Sequence, residues 1–241
     1  MATQQFDSLH NIEYFRVCAT EWFDKMDVPK NEKKKRVDLA IDYCEIIIML
    51  FLMITEQEAT REECVAFTEE RLKVIAEREL GKENIAYIDD WSKKTADRIV
   101  SETYSKYENE IEDSELEEQE TEEKQPEETR TIHLDDLDED IPEKDYWTSD
   151  GRAYELGKEF STTVYNFKEL SDAIDQGKTR KTWMTENDGR VRATHDEVHG
   201  VEIPINEYFN VGNSVMLMPG DSLNGAELKE IANCRCHLVC H

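Results

Sequence analysis

The chain has 241 residues, a mass of 28.2 kDa and a formal net charge of −27, from 29 basic and 56 acidic side chains. This balance excludes a general nucleic-acid-binding protein, because such proteins neutralise phosphates with a basic surface. Six cysteines are too few for a fold built on disulfides, and the N-terminal sequence lacks a signal-peptide pattern. We therefore expect a reducing, intracellular compartment.

The negative charge is concentrated in the middle of the chain. Residues 1–107 have a net charge of −6, residues 108–150 of −17 and residues 151–241 of −4. Like charges at this density repel one another and extend the chain, so the middle block is predicted to be an acidic linker of low order. It is either a solvated spacer or a segment that docks on a basic partner, and the pattern leaves both open.

Residues 1–107 have the pattern of packed helices. Thr60 is followed three residues later by Glu63, which is a capping-box spacing, and Gly81 is placed to end that helix. The run Ile46–Ile54 is continuously apolar but has only nine residues, whereas a membrane span needs about 20. We predict a helical arm or bundle, with this run in a core or a homo-oligomer contact and not in a membrane.

Residues 151–241 are predicted to be a compact domain that mixes helix and strand. Apolar residues at steps of three and four indicate one long helix over 152–176, ended by Gly177. Shorter segments then alternate like strands, at 179–185, 201–205, 215–218 and 236–239, with a helical turn at 226–231. The fold class is therefore α+β: a helical N-terminal region, an acidic linker, and a long helix leading into a small, loop-rich module.

Side chains that can bind metals are concentrated in the last 47 residues. His195 and His199 have the spacing of neighbours on a helix face, and Cys234 and Cys236 follow. Imidazole and thiolate together suit Zn²⁺, so these four residues are candidate ligands of a structural or catalytic zinc site. Free thiols and imidazoles without metal are the alternative, because the spacing matches no established zinc motif.

Basic residues surround Trp183 in the same region. Lys178, Arg180 and Lys181 precede it closely, and Arg190 and Arg192 follow. A solvated face is one interpretation of this cluster. A contact with an acidic partner, with the acidic block of this chain or with DNA phosphates is the other.

The C-terminal residues resemble the Mu F-like head-morphogenesis family of tailed-phage minor head proteins. The resemblance covers about residues 150–237 and follows the family's order: a helix, a K-x-W strand, a D-x-R-x-R-x-x-H segment, a glycine, a P-G-D turn and a closing N-C-R-C. The residues that carry it are Trp183, Asp188, Arg190, Arg192, His195, Gly200, Pro219, Asn233, Cys234, Arg235 and Cys236. The chain departs from the family at His199, where the family often has Asp, and at Ser222, where it often has Pro.

The resemblance implies a minor structural protein of the phage head, located in the virion and in the host cytoplasm during assembly. Its implied partners are the portal protein, the major capsid or scaffolding proteins, and packaged DNA during packaging or ejection. The motif residues would then hold the module together, with Asp188 pairing with Arg190 or Arg192 and with His195 packed near Cys234 and Cys236.

An enzyme is the competing hypothesis, ranked below the structural protein. It would be a metal-dependent hydrolase or nuclease, with the histidine–cysteine cluster around a metal and with Asp196 or Glu197 as general base.

Overall fold

The computed structural model describes residues 2–57, 59–118 and 146–241. Helices dominate the first part of this structure, and five short strands lie in the C-terminal part, which confirms the expected α+β class. The helices are α1 (Ala2–Asp24), α2 (Lys30–Thr55), α3 (Arg61–Leu80), α4 (Ile85–Glu118), α5 (Asp150–Asp175), α6 (Ala193–Asp196) and α7 (Leu228–Ile231), with a 3-10 turn at Lys82–Asn84. The strands are β1 (Arg180–Met184), β2 (Glu202–Pro204), β3 (Phe209–Val211), β4 (Ser214–Met216) and β5 (His237–Cys240).

Helix α3 begins and ends where the sequence predicts. The Glu63 amide donates to Thr60 Oγ1 at 3.2 Å, and the Thr60 amide donates to the Glu63 carboxylate at 2.8 Å. This reciprocal capping box satisfies two backbone donors that the helix itself leaves free. At the other end Gly81 adopts φ +78°, a conformation that favours glycine and stops the helix.

Helix α2 carries the apolar run into the centre of the helical region. Most of Ile46–Ile54 is buried, and Met49, half exposed, is the main exception. Across the described residues no helix is both long and apolar enough to cross a membrane.

The most extensive helix packing joins α2 to α5. Gly157 of α5 lies directly against the backbone of α2: a Cβ atom there would overlap the Ala40 carbonyl oxygen and sit 3.1 Å from the Cys44 nitrogen. The absence of a side chain at this position therefore sets how closely the two helices approach.

Helix α5 connects the helical core with the core beneath the strands. Phe160 and Val164 belong to the helical core, whereas Leu170 and Ala173, further along α5, belong to the core that contains Trp183. The predicted boundary between residues 1–107 and 151–241 therefore does not separate the two cores.

The C-terminal module contains two small antiparallel sheets. Strand β1 is central in the first sheet, between β2 and β5, and β3 pairs with β4 in the second. Trp183 of β1 is fully buried and meets Phe209 of β3 in an edge-to-face contact with ring centroids 5.3 Å apart. These aromatic rings join the two sheets into one core.

The acidic block has only part of its length in the structure. Helix α4 continues through residues 108–118, so this part of the expected linker is helical. The acidic residues 119–145, on which the low-order prediction chiefly rests, lie outside the described residues.

Trp22 of helix α1 contacts two buried cations from other parts of the chain. The ammonium of Lys158 lies 4.1 Å from the Trp22 ring centroid, and the guanidinium of Arg235 lies 5.1 Å from it. Lys158 also contacts the Tyr154 ring at 4.5 Å. These cation–π contacts tie α1 to α5 and to the loop before β5.

Candidate metal centre

Three of the four predicted metal ligands meet in one buried cluster. The Nδ1 atom of His195 lies 3.3 Å from the Cys236 sulfur and 3.7 Å from the Cys234 sulfur. The exposed fractions of the three side chains are 2%, 5% and 3% for His195, Cys236 and Cys234, so the cluster lies inside the fold. Their donor atoms all lie within 4.8 Å of one another.

Local structure brings these residues together from two places in the chain. His195 lies in the four-residue helix α6, and its ring packs edge-to-face on Trp183 with centroids 5.5 Å apart. The two cysteines lie between α7 and β5, where Asn233 has φ +53° and turns the chain just before them. The Cys236 amide then donates to the Cys234 sulfur at 3.4 Å.

A buried carboxylate lies on the other side of the histidine ring. Glu230 Oε2 is 3.2 Å from His195 Nε2, and it accepts a hydrogen bond from Thr194 Oγ1 at 2.8 Å. Glu230 is 1% exposed, so this contact is shielded from water. With a metal bound, a carboxylate near Nε2 would favour a proton on that nitrogen and leave the Nδ1 lone pair for the metal, as in many zinc sites.

Neighbouring groups shift the pKa of each side chain in the cluster. The hydrogen bond from Cys236 lowers the pKa of Cys234 well below its ordinary value, and His195 acts in the same direction. Hydrogen bonding to Cys234 raises the pKa of the Cys236 thiol, and burial adds to this effect. Burial lowers the pKa of His195, but the Cys234 sulfur outweighs burial and the pKa is raised overall. Of the two thiols, Cys234 therefore gives up its proton more readily than Cys236.

The distances fit the coordination of zinc. A tetrahedral Zn²⁺ with Zn–S of about 2.3 Å and Zn–N of about 2.0–2.1 Å separates a sulfur from a nitrogen ligand by about 3.6 Å. The observed separations of 3.3 and 3.7 Å lie close to that edge length. Zinc binding would require both cysteines as thiolates and only small side-chain adjustments.

A small cleft opens onto the cluster. Its volume is about 20 Å³, space for one water-sized group, and it is lined by His195, Cys234 and Cys236 together with Glu186, Arg190, Val191, Arg192, Asn233 and Arg235. The Glu186 side chain is 5% exposed, and its Oε1 atom lies 3.3 Å from His237 Nδ1. The other carboxylate oxygen of Glu186 accepts from the Asp27 amide at 3.0 Å.

The fourth predicted ligand, His199, lies outside the cluster. Helix α6 ends at Asp196, so His195 and His199 do not share a helix face as their spacing suggested. The His199 Nδ1 atom instead accepts a hydrogen bond from the Thr185 amide at 3.1 Å and lies 2.9 Å from Thr185 Oγ1. Asp196 and Glu197, the expected general bases, are exposed and do not line the cleft.

Asp188 forms a different ion pair from the one expected. It contacts neither the Arg190 nor the Arg192 guanidinium; its Oδ2 atom accepts from Arg235 at 2.6 Å, and its Oδ1 atom accepts from the Arg190 backbone amide at 3.0 Å. The Arg235 hydrogen bond holds the pKa of Asp188 below its ordinary value. The Arg192 guanidinium donates to the carbonyl oxygen of Ala232.

The basic cluster around Trp183 is not a uniform solvated face. Lys181 is fully buried, and its ammonium donates to the Leu217 carbonyl oxygen at 2.7 Å. Burial lowers the pKa of Lys181 to about 8.

The remaining residues of the resemblance shape the loops. Gly200 has φ +72° and donates its amide to the Trp183 carbonyl oxygen at 2.8 Å. The Pro219 carbonyl oxygen accepts from Asn166 of α5 at 3.1 Å. The buried Asn166 amide group also donates to the Cys236 carbonyl oxygen and accepts from the Leu238 amide, both at 3.1 Å. Asn166 thus joins α5, the Pro219 turn and the start of β5.

Two residues of the site, Glu186 and Glu230, were missed in the sequence. Glu230 precedes Cys234 by four residues, which is the only local signal of its proximity to the cluster. Glu186 offers none beyond its place between Trp183 and Asp188, because its partners come from distant parts of the chain.

The fold and the site together define an acidic α+β protein with a buried histidine–cysteine cluster. No protein-family model, curated protein or solved structure matches the chain.

Proposed function

We propose that the protein is a minor structural protein of a tailed-phage head, which assembles with the portal and with capsid or scaffolding proteins. The observation that supports this proposal most is that residues of the resemblance, dispersed over residues 183–236, meet around one core. Trp183 packs on His195, His195 contacts the two cysteines, and Asp188 pairs with Arg235. If the resemblance in sequence were accidental, these residues would have no reason to lie close together in the fold.

The physical character of the chain suits assembly. The net charge of −27 favours docking on basic protein surfaces and disfavours broad contact with DNA. Any contact with packaged DNA would therefore be confined to a local basic surface, such as the exposed Arg190.

Co-assembly tests this proposal. The full chain, co-expressed with the portal, scaffolding and major capsid proteins of its phage, should co-purify with the portal and be found in assembled heads by mass spectrometry. An unrelated protein of equal net charge controls for retention by charge alone, and washing at raised salt removes such retention. Absence from both the portal fraction and the heads would overturn the proposal.

A metal-dependent hydrolase is the second candidate, and the cleft that opens onto the cluster is the observation that favours it. Catalytic zinc sites keep one coordination position open, whereas structural sites are closed by four protein ligands. Glu186 replaces Asp196 and Glu197 as the carboxylate placed to act as base, since it lines the cleft. Zinc-dependent cleavage of DNA or of a phosphodiester, lost in Glu186→Gln with zinc content unchanged, would support this function. If the zinc-loaded full chain cleaves neither substrate, the hydrolase function is refuted.

A further inference from the structure

We propose that His195, Cys234 and Cys236 bind one Zn²⁺ and that the fourth coordination position faces the cleft and takes a small anion. This inference is independent of the role in head assembly, since it concerns only what the cluster binds.

The donor set selects the metal. Two sulfurs and one imidazole nitrogen form the one group in residues 2–57, 59–118 and 146–241 where three metal-binding side chains converge. Soft thiolate ligands favour Zn²⁺ over Mg²⁺ or Ca²⁺, which prefer oxygen. Glu230 completes the arrangement as the positioning residue that holds His195 from behind.

The nearby carboxylates are placed for other contacts. Glu230 lies at Nε2, on the opposite side of the imidazole from the two sulfurs. Glu186 accepts from the Asp27 amide through one carboxylate oxygen, and its buried Oε1 atom has no hydrogen-bond partner. The group of converging donor atoms nevertheless holds only His195, Cys234 and Cys236, and neither glutamate belongs to it. The fourth position is therefore left to a ligand from outside the chain, in the cleft that His195, Cys234 and Cys236 help to line.

The charge around the cleft favours an anion, because three arginines line it against one carboxylate, that of Glu186. Zn²⁺ with two thiolates and a neutral imidazole has no net charge, so an anionic fourth ligand adds one negative charge. The side chains of Arg190, Arg192 and Arg235 line the cleft and oppose that charge. Arg235 is 7% exposed, and its Nη1 atom is buried without a hydrogen-bond partner. A buried guanidinium nitrogen that lacks an acceptor is a donor available to such a ligand.

The cleft also limits the size of this ligand. With room for about one water-sized group, about 20 Å³, it admits hydroxide or the one coordinating atom of a larger anion, such as an end nitrogen of azide. Azide is therefore a suitable probe.

The test uses the full chain and needs no variant to give an answer. Metal-free protein is titrated with Co²⁺, whose visible spectrum reports thiolate ligation and coordination geometry, and zinc content is measured in parallel. We expect saturation at one metal per chain, with thiolate charge-transfer bands and a four-coordinate spectrum. Azide should then shift the visible bands in a saturable way.

Matched variants locate the ligands. Cys236→Ser should abolish stoichiometric binding, whereas Cys240→Ser, at a buried cysteine outside the cluster, and His199→Ala should leave it intact. Arg190→Gln should leave metal affinity unchanged and weaken azide binding about twofold to fivefold, as expected for one exposed charge. If Cys236→Ser does not fold, the wild-type spectra still show whether thiolates bind the metal and whether azide reaches it.

Three results would overturn the proposal. The first is no stoichiometric binding of Co²⁺ or Zn²⁺ by the folded wild-type chain. The second is binding that persists in Cys236→Ser, which would place the metal elsewhere. The third is a thiolate-ligated metal whose spectrum does not respond to azide, which would refute the open, anion-binding position.

Discussion

Replacing Gly157 with alanine tests whether the approach of α5 to α2 limits stability. Two effects oppose each other at this position. Alanine favours the helical backbone by about 1 kcal/mol relative to glycine. Its Cβ would overlap the Ala40 carbonyl oxygen and approach the Cys44 nitrogen to 3.1 Å, and both of these atoms belong to the α2 backbone.

The steric effect should win. Overpacking a core usually costs about 1–3 kcal/mol, and the upper end applies here because a backbone atom cannot move aside by changing rotamer. Subtracting the helix-propensity gain leaves a net destabilisation of about 2 kcal/mol. For a chain of this length that corresponds to a melting temperature lower by about 4–8 °C.

Gly151→Ala in the same helix is the matched control. A Cβ at Gly151 would have only Ser149 Oγ nearby, at 3.7 Å, so alanine should be neutral or stabilising there. Thermal and urea unfolding followed by circular dichroism would compare the two variants with the parent. If Gly157→Ala is as stable as Gly151→Ala, a Cβ at position 157 does not destabilise the packing of α5 on α2, and the close approach of the two helices does not constrain the fold.

Three further predictions concern buried charges. Glu230→Gln should weaken Zn²⁺ binding about 10–100-fold, measured by competition with a chelating dye, because the carboxylate no longer orients His195. Lys158 has its pKa lowered to about 8 by burial from an ordinary 10.5. The unfolded chain therefore binds more protons between these values, and stability relative to Lys158→Met should rise by up to about 3 kcal/mol from pH 8 to pH 10.5. Asp188→Asn should lower the unfolding free energy by about 1 kcal/mol, seen in urea melts, since buried Arg235 loses its ion pair.

Each of these predictions has its own control. Glu227→Gln removes a half-exposed carboxylate next to the same helix and should leave zinc affinity unchanged. For Lys158, a stability difference from Lys158→Met that is flat with pH would show that the ammonium is hydrated in the folded state. For Asp188, a loss equal to that of Glu207→Gln, an exposed carboxylate in a loop, would show that its ion pair contributes nothing.

The sequence predicts elements whose signals are local. The Thr60 capping box, the stop at Gly81 and the long amphipathic α5 each rest on residues within a few positions of one another, and the structure confirms them. Strand β3 (Phe209–Val211) was missed, because three residues are too few for alternation to be distinguished from loop. Its position is set by pairing with β4 and by packing on Trp183.

The candidate site was predictable in its residue types and not in its geometry. The concentration of histidine and cysteine near the C-terminus indicated His195, Cys234 and Cys236, and the structure brings these three side chains together. The inclusion of His199 assumed a helix that continues past Asp196, whereas the chain turns there and sends His199 to Thr185. Only the folding of distant segments brings Glu186 and the cysteines to one cleft, and no local pattern encodes that.

The pairing of α2 with α5 sets the order in which the nascent chain can complete its core. About 95 residues separate the end of α2 from the start of α5, which at usual rates of translation is a delay of roughly 5–20 s. During this interval α1 and α3 can cover α2 only in part, and the face of α2 that packs on α5 around Gly157 remains uncovered. The acidic residues 108–150 are synthesised in that same interval, so the incomplete chain gains its strongest negative charge while its apolar surface is still open. Electrostatic repulsion between such chains would keep them apart on a polysome until α5 emerges.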